Sequence, residues 1–471
     1  MRTKQNTQSQ LEFQSLLGIR ATVKYFERYE RISELLDRHP EILTAVHRDL
    51  QKPLAGLAKS ARSGKFTSET VLRVVLVKSM EELSFRGAVI RIDDSPRLRA
   101  FTRLGNDPMM DFSTLCLLAN AIQVKTWEAV NELLAEAAVS EGRISGEQLR
   151  MDTTAVETNV HWPTDSHLLW DTHRVVSRIV RRVRDLVPML VSEKRLHDKA
   201  AKKLHTRISR VSARKTDEAR QEQKRLYGRQ IRLVEGILEW LPSLCARVRR
   251  DGAAHAGSLM DGVALVGLVQ DLERFHALGL RAVDQARRRV LQGEQVPNDE
   301  KLFSIFEPHT ELLIRGKAGK DVEFGHMVSI HQVSGSFITD YRVFEKRPAD
   351  HAIVDGALAR HERLFGAPPG LLAADKGFWE SSEKTKELRK KIACVSIGKK
   401  GNRTEEERER EHTPAFRMGQ KFRAGVEGSI SFLKQVLGLW RCMNKGWLHY
   451  AATVGATVFA HNLIVLARRG G

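Results

Sequence analysis

The chain has 471 residues, 77 Lys and Arg against 58 Asp and Glu, a formal net charge of +19 and a pI near 9.9. That length allows more than one domain, the 42% apolar share argues for a folded protein, and the basic surplus favours a polyanionic partner. No uninterrupted apolar run of about 18 residues argues for a membrane span, the basic N-terminus leads into no cleavable apolar segment, and the dispersed Cys116, Cys245, Cys394 and Cys442 indicate neither a zinc site nor a disulfide framework.

Residues 11 to about 60 carry apolar positions at helical spacing, ended or interrupted at Pro40. Ser68 is a plausible N-cap for a largely buried helix over Thr67 to Phe85, and shorter helical pieces follow near residues 96–105, 111–122 and 126–138. Residues 1–145 therefore read as an all-helical N-terminal region, either a helix-turn-helix reader of DNA or a structural cap or dimerisation unit.

At Gly146 the pattern changes to period two. Leu149, Met151, Thr153 and Ala155 face one way and Arg150, Asp152, Thr154 and Val156 the other, which predicts a strand carrying Asp152. Pro163 stops it, and Thr164 or Asp165 can cap a helix beginning near His167. Glu157, Asp165 and Asp171 are rival carboxylates, of which Asp165 is read as a cap and Glu157 as support.

Residues 167–300 form a long basic helical insertion. Within 171–250 there are 22 Lys or Arg against 9 Asp or Glu, a local surplus suited to lying along a duplex through phosphate contacts. A solvated helical pair is the alternative. Strands return between 302 and 345, separated by the KAGK stretch and by Ser334-Gly335-Ser336, which suits antiparallel hairpins. An amphipathic helix over 350–365 precedes the short apolar run LLAAD, read as a buried strand delivering Asp375 at its C-terminal end. A helix, the strand IACVSI and a mixed-charge loop or short helix follow.

In a helix over Arg423 to Lys434, Arg423, Glu427 and Lys434 fall on one stripe, with Val426, Ile430, Leu433 and Leu437 on the apolar side. On its own this is also the pattern of an exposed, self-paired face. The apolar segment from Gly446 onwards is expected to be a buried helix closing the core.

Three stretches carry a resemblance. The spacing of Arg423, Glu427 and Lys434 resembles the Y-x2-R-x3-E-x6-K signature of bacterial insertion-sequence DDE transposases, with Gln420 at the tyrosine position. The D-T-T-x-V-E-T-N and P-T-D-S-x-L-L-W runs from Asp152 resemble the ISNCY group, and D-x-G-F at Asp375 resembles the family's second aspartate. The resemblance implies a mixed fold in which the all-α N-terminal region joins an α/β ribonuclease-H-like core, residues 146–166 and 301–471, interrupted by the basic helical insertion.

It further implies that Asp152, Asp375 and Glu427 are catalytic and hold metal, and that Arg423 and Lys434 bind DNA. The substrates are then double-stranded DNA at the element's terminal inverted repeats and at the target, joined by a homodimer in the bacterial cytoplasm with no membrane. Hard carboxylate oxygens select Mg²⁺, with Mn²⁺ as substitute, over zinc. A metal-dependent nuclease without joining activity, or a non-catalytic DNA-binding protein derived from a transposase, are the competing readings.

Overall fold

In the computed structural model, residues 3–5, 19–52, 66–191, 194–317 and 320–469 are described. Parts of the predicted N-terminal helical stretch, 11–18 and 53–60, and the middle of the KAGK turn lie outside them. The chain divides into two units, Met1–Thr158 with Gly325–Gly471, and Asn159–Phe324.

The first unit is built on a mixed sheet. The sheet's strands are β1 (Gln148–Thr158), β2 (Glu311–Lys317, within the second unit), β3 (Lys320–Val333, of which residues from Gly325 on belong to the first unit), β4 (Ile338–Val343), β5 (Leu371–Ala374), β6 (Cys394–Ile397) and β7 (Arg441–Cys442). The order is β2-β3-β1-β5-β6, with β4 also pairing β3 and the short β7 pairing β1. β1 and β3 are antiparallel with Asp152 opposite Ile330, β3 and β4 are antiparallel, and β1, β5 and β6 are mutually parallel. Gly335, at φ 76°, makes the tight reversal between β3 and β4.

β1 has period-two character but is buried on both faces, as expected of a central strand covered by helices above and below. Leu149 and Met151 pack with Leu358, Leu372, Phe378 and Ile397 on one side. Val156, on the other, belongs to the larger core with Val426 and Phe459.

The N-terminal helices Arg20–Arg38, Pro40–Leu50, Ser68–Met80 and Val124–Ser140 bury Ile32, Val46, Leu72 and Trp127 in that same larger core. Pro40 starts a helix at its first position, where a missing N–H costs nothing. The helix expected over 67–85 differs: Thr67, not Ser68, is the cap, and the helix stops at Met80. A new helix, Phe85–Asp93, starts after the Ser84 cap because Glu82 takes a positive φ of 51°. The C-terminal helix Trp447–Arg469 is long and apolar enough by composition to cross a membrane, yet every residue from Tyr450 to Ala467 except Thr453 is buried inside the unit.

The second unit is a bundle of long helices, Asp165–Leu186, Asp198–Ser212, Asp217–Leu238, Leu241–His255 and Leu259–Ala286, around Leu169, Val180, Leu226, Val234, Leu244 and Leu272. Thr164 caps the first of them by accepting from the His167 N–H. Asp165 is not the cap: it lies in the first turn, 6% exposed, and accepts from Arg289 and Gln285.

Candidate active site

Parallel register puts the two aspartates side by side. Arg150 on β1 is level with Ala373 on β5, and Asp152 and Asp375 each stand two residues further on, Asp375 as the first residue beyond its strand. The period of two then places both carboxylates on one face. Asp152 Oδ1 accepts from the Thr153 N–H at 2.7 Å, and Asp375 Oδ1 from the Gly377 N–H at 2.7 Å. Gly377 leaves room for these carboxylates: a Cβ there would come within 2.8 Å of Asp350 Oδ2 and 3.0 Å of Asp375 Oδ1.

Helix Pro414–Ser431 crosses β1, β5 and β6 on this face, capped by Thr413 with Pro414 in its first turn. Its close approach depends on two glycines. A Cβ on Gly419 would stand 2.4 Å from Ser396 Cβ, and one on Gly425 would stand 2.0 Å from Arg150 Nη1. Side chains then fasten the helix down. Ser396 Oγ donates to the Phe416 carbonyl at 2.8 Å, and Gln420 Nε2 donates to the Ser396 carbonyl at 2.6 Å. Arg150 donates to the Phe422 carbonyl at 2.8 Å and to Gln332 Oε1 at 2.8 Å, while Gln332 Nε2 reaches Ser429 Oγ at 2.7 Å. Gln420, at the departure from the tyrosine of the resembled signature, thus ties the helix to the C-terminal end of β6.

Held this way, the helix brings Arg423 and Glu427 to the aspartates. Arg423 Nη2 is 3.2 Å from Glu427 Oε1 and Nη1 is 4.0 Å from Asp152 Oδ2. Burial, reinforced by the negative charges of Asp375 and Glu427, pushes the Asp152 carboxyl up to about 6 against the opposing pull of the Thr153 N–H and Arg423. Three carboxylates therefore share one electrostatic neighbourhood, with one guanidinium set between two of them.

Lys434 stands differently from the stripe read in the sequence. The α-helix ends at Ser431 and Lys434 lies in a π-helical turn, Phe432–Val436, whose wider winding departs from 100° per residue. Glu157, five residues along β1 from Asp152, is held by Arg441 of β7 at 2.7 Å.

Two contributors escaped the sequence. Arg150 is 6% exposed and its guanidinium contacts the Gln332 amide oxygen, the Phe422 carbonyl and the Phe422 ring, so it acts as a clamp on the helix. Asp350 lies beside Thr153, whose Oγ1 is 3.5 Å from Asp350 Oδ1. The position of Arg150 on the Asp152 face of the strand, together with Gly425, was the available signal for the clamp.

The donors fit a hard divalent cation in kind: all are carboxylate oxygens, and the Asp152 carboxyl is raised first by burial and then by the anions of Asp375 and Glu427, whose charge a cation would offset. Among the described residues, no three His, Cys, Asp or Glu side chains are already grouped closely enough to hold a metal ion. Comparison with protein-family models, curated proteins and solved structures gives no match.

Proposed function

We propose that the chain is a DDE transposase of the insertion-sequence type, a divalent-metal-dependent polynucleotidyl transferase acting on DNA ends. The observation that carries the reading is that Asp152, Asp375 and Glu427, scattered in sequence, act on one another electrostatically from the middle of β1, from just beyond parallel β5 and from the helix that crosses both. The strand order β4-β3-β1-β5-β6, with the first three antiparallel to one another in turn and the last three parallel, supports a ribonuclease-H-like core. The resemblance of the three acidic neighbourhoods supports the same reading from sequence.

Asp152, Asp375 and Glu427 would hold Mg²⁺, or Mn²⁺ in its place. Such ions supply an activated water or DNA 3′-hydroxyl and charge stabilisation for in-line displacement at phosphorus. Arg423, now in contact with Glu427 and near Asp152, would exchange those carboxylates for a forked contact with a terminal phosphate, and Lys434 would add a point charge further along the same segment. Arg150 and Gln420 hold the helix so that these groups keep their spacing to β1 and β5.

Within the second unit, helices Asp198–Ser212 and Asp217–Leu238 expose Lys199, Lys202, Lys203, Arg210, Arg225 and Arg229, which suits contact with a duplex backbone. Arg207 is also exposed but pairs with Glu222. Terminal inverted repeats and target DNA are the proposed partners, engaged by a homodimer in the bacterial cytoplasm, with the N-terminal helices as an additional DNA-binding region.

The test is cleavage of linear DNA carrying the ends that flank the gene, by wild type and Asp375→Ala, with and without Mg²⁺. Metal-dependent nicking at the element boundary, followed by joining and lost in the variant, is expected. Tight binding without cleavage would favour the DNA-binding reading, and cutting without joining would favour a nuclease.

A further inference from the structure

Within the second unit, four side chains of metal-ligating type lie near one another, and none of them belongs to the carboxylate cluster described above. His167 and Asp171 lie four residues apart on helix Asp165–Leu186 and so share a face. His161 comes from the segment before that helix and His205 from helix Asp198–Ser212. The rings of His161 and His167 are 4.5 Å apart at their centres with planes at 53°, and those of His167 and His205 are 4.4 Å apart at 60°. Asp171 Oδ2 is 3.6 Å from His161 Nε2, while its other oxygen accepts from Arg174 at 2.6 Å.

Hydrogen bonding around His205 fixes its tautomer. Gln230 Nε2 donates to the Ser166 carbonyl at 3.0 Å, which sets the amide so that Gln230 Oε1 faces Ser166 Oγ at 2.9 Å. The single hydroxyl proton of Ser166 is thereby committed to Gln230. Ser166 Oγ, 2.9 Å from His205 Nδ1, must then accept from an Nδ1–H, and the lone pair of neutral His205 lies on Nε2. His167 is held by the same ring nitrogen, its Nδ1 2.9 Å from Thr164 Oγ1. Trp170 stacks over His205 with planes 9° apart, fixing the ring further.

Hydroxyl partners on Nδ1 and an available Nε2 are the outer arrangement that orients imidazoles toward a metal. Burial and the neighbouring histidines push His167 down to about 4, and burial likewise lowers His205, so both rings are neutral and able to ligate near pH 7. We propose that His161, His167, His205 and Asp171 form a site for one transition-metal ion of the zinc class. Imidazole nitrogens favour Zn²⁺ or Co²⁺ there over the Mg²⁺ suited to carboxylates alone. The four groups do not already converge at ligand distance, so binding requires side-chain rotation, for which His161, with half its side chain exposed, has room.

The full-length protein, stripped with chelator, is titrated with Zn²⁺ against a chromophoric competitor and separately with Co²⁺ in visible absorption. The expected result is one Zn²⁺ per chain with Kd below about 1 μM, together with the absorption bands of four-coordinate Co²⁺. His205→Ala weakens Zn²⁺ by at least about 100-fold, and Ser166→Ala, which keeps all four ligands but frees the tautomer, by about 10- to 100-fold. Asp152→Asn leaves the affinity and stoichiometry unchanged. Circular dichroism checks the fold of each variant, and Ser166→Ala serves if His205→Ala does not fold. The proposal is overturned by absence of stoichiometric binding, by binding that both the His205→Ala and Ser166→Ala variants retain at full strength, or by binding that disappears in Asp152→Asn.

Discussion

Replacing Asp152 by Asn should make the metal-free protein more stable at neutral pH. The carboxyl sits in a side chain only 17% exposed, and burial with the charges of Asp375 and Glu427 raises it from 3.8 to about 6. Between those two values the folded protein keeps a proton that the unfolded chain releases, so stability falls as pH rises through the interval. A shift of about 2 units corresponds to at most about 3 kcal/mol. Asn keeps the shape and can still accept from the Thr153 N–H, but has no charge to bury. In urea unfolding followed by hydrogen exchange of the Gln148–Thr158 segment, which reports on the first unit, the variant should match wild type below about pH 4. It should then gain progressively and exceed wild type by about 1 to 3 kcal/mol above pH 7. Adding Mg²⁺ should narrow the gap by stabilising only the wild type, since a ligand that binds the folded site shifts its unfolding equilibrium. A variant no more stable than wild type at pH 8 would refute the electrostatic reasoning, and a gain independent of pH would assign the effect to packing.

Gly425→Ala should destabilise the first unit by about 1 to 3 kcal/mol in denaturant unfolding, because the new Cβ would stand 2.0 Å from Arg150 Nη1 beneath a pinned helix. Asp340 should behave opposite to Asp152. Burial alone would raise its carboxyl, but the His331 hydrogen bond at 2.8 Å and the charges of His331, Arg342 and Arg360 hold it at about 2. Its stabilisation is present above about pH 4 and is lost as pH falls through about 2. Asp340→Asn should therefore cost about 1 to 2 kcal/mol at pH 7, with the cost vanishing near pH 2. Replacing Asn159–Phe324 by a two-residue Asn-Gly turn should leave a folded first unit that keeps the Asp152→Asn effect, measured in the same exchange experiment, while lowering DNA affinity in a salt titration.

The parts of the site that follow local rules were legible. Period two marked β1 and put Asp152 in it, a short apolar run ended on Asp375, and helical spacing placed Arg423 one turn from Glu427. The parts that depend on what lies across a layer were not. Nothing local to Arg150 says that its guanidinium runs beneath Gly425, since that requires knowing which helix lies on which strand. The π-helical turn at Lys434 interrupts a stripe that assumes uniform winding. Thr67 and Ser68 both have the chemistry of a cap, and only the backbone distinguishes them: Thr67 is extended at φ −67°, ψ 159°, and accepts from Thr70.

A long excursion between the first aspartate and the rest of the site need not disturb it, because of where the chain leaves and re-enters the first unit. Glu157, near the end of β1, lies opposite Gly325 on β3, so both ends of the excursion emerge beside one another from a single antiparallel ladder. The ladder is close enough at this point that a Cβ on residue 325 would meet the Val156 carbonyl at 2.0 Å, which requires Gly. Eight further registered pairs, through Asp152↔Ile330 back to Leu149↔Val333, lock the strand that carries the aspartate. Closing a longer loop costs only about 0.6 kcal/mol for each doubling of length. The insertion therefore acts on β1 as an enlarged hairpin loop, and the registration of Asp152 with Asp375 is set on the other edge of β1, by Gln148, Leu149 and Arg150 against β5. The carboxylates can keep their spacing while the basic helices vary in sequence.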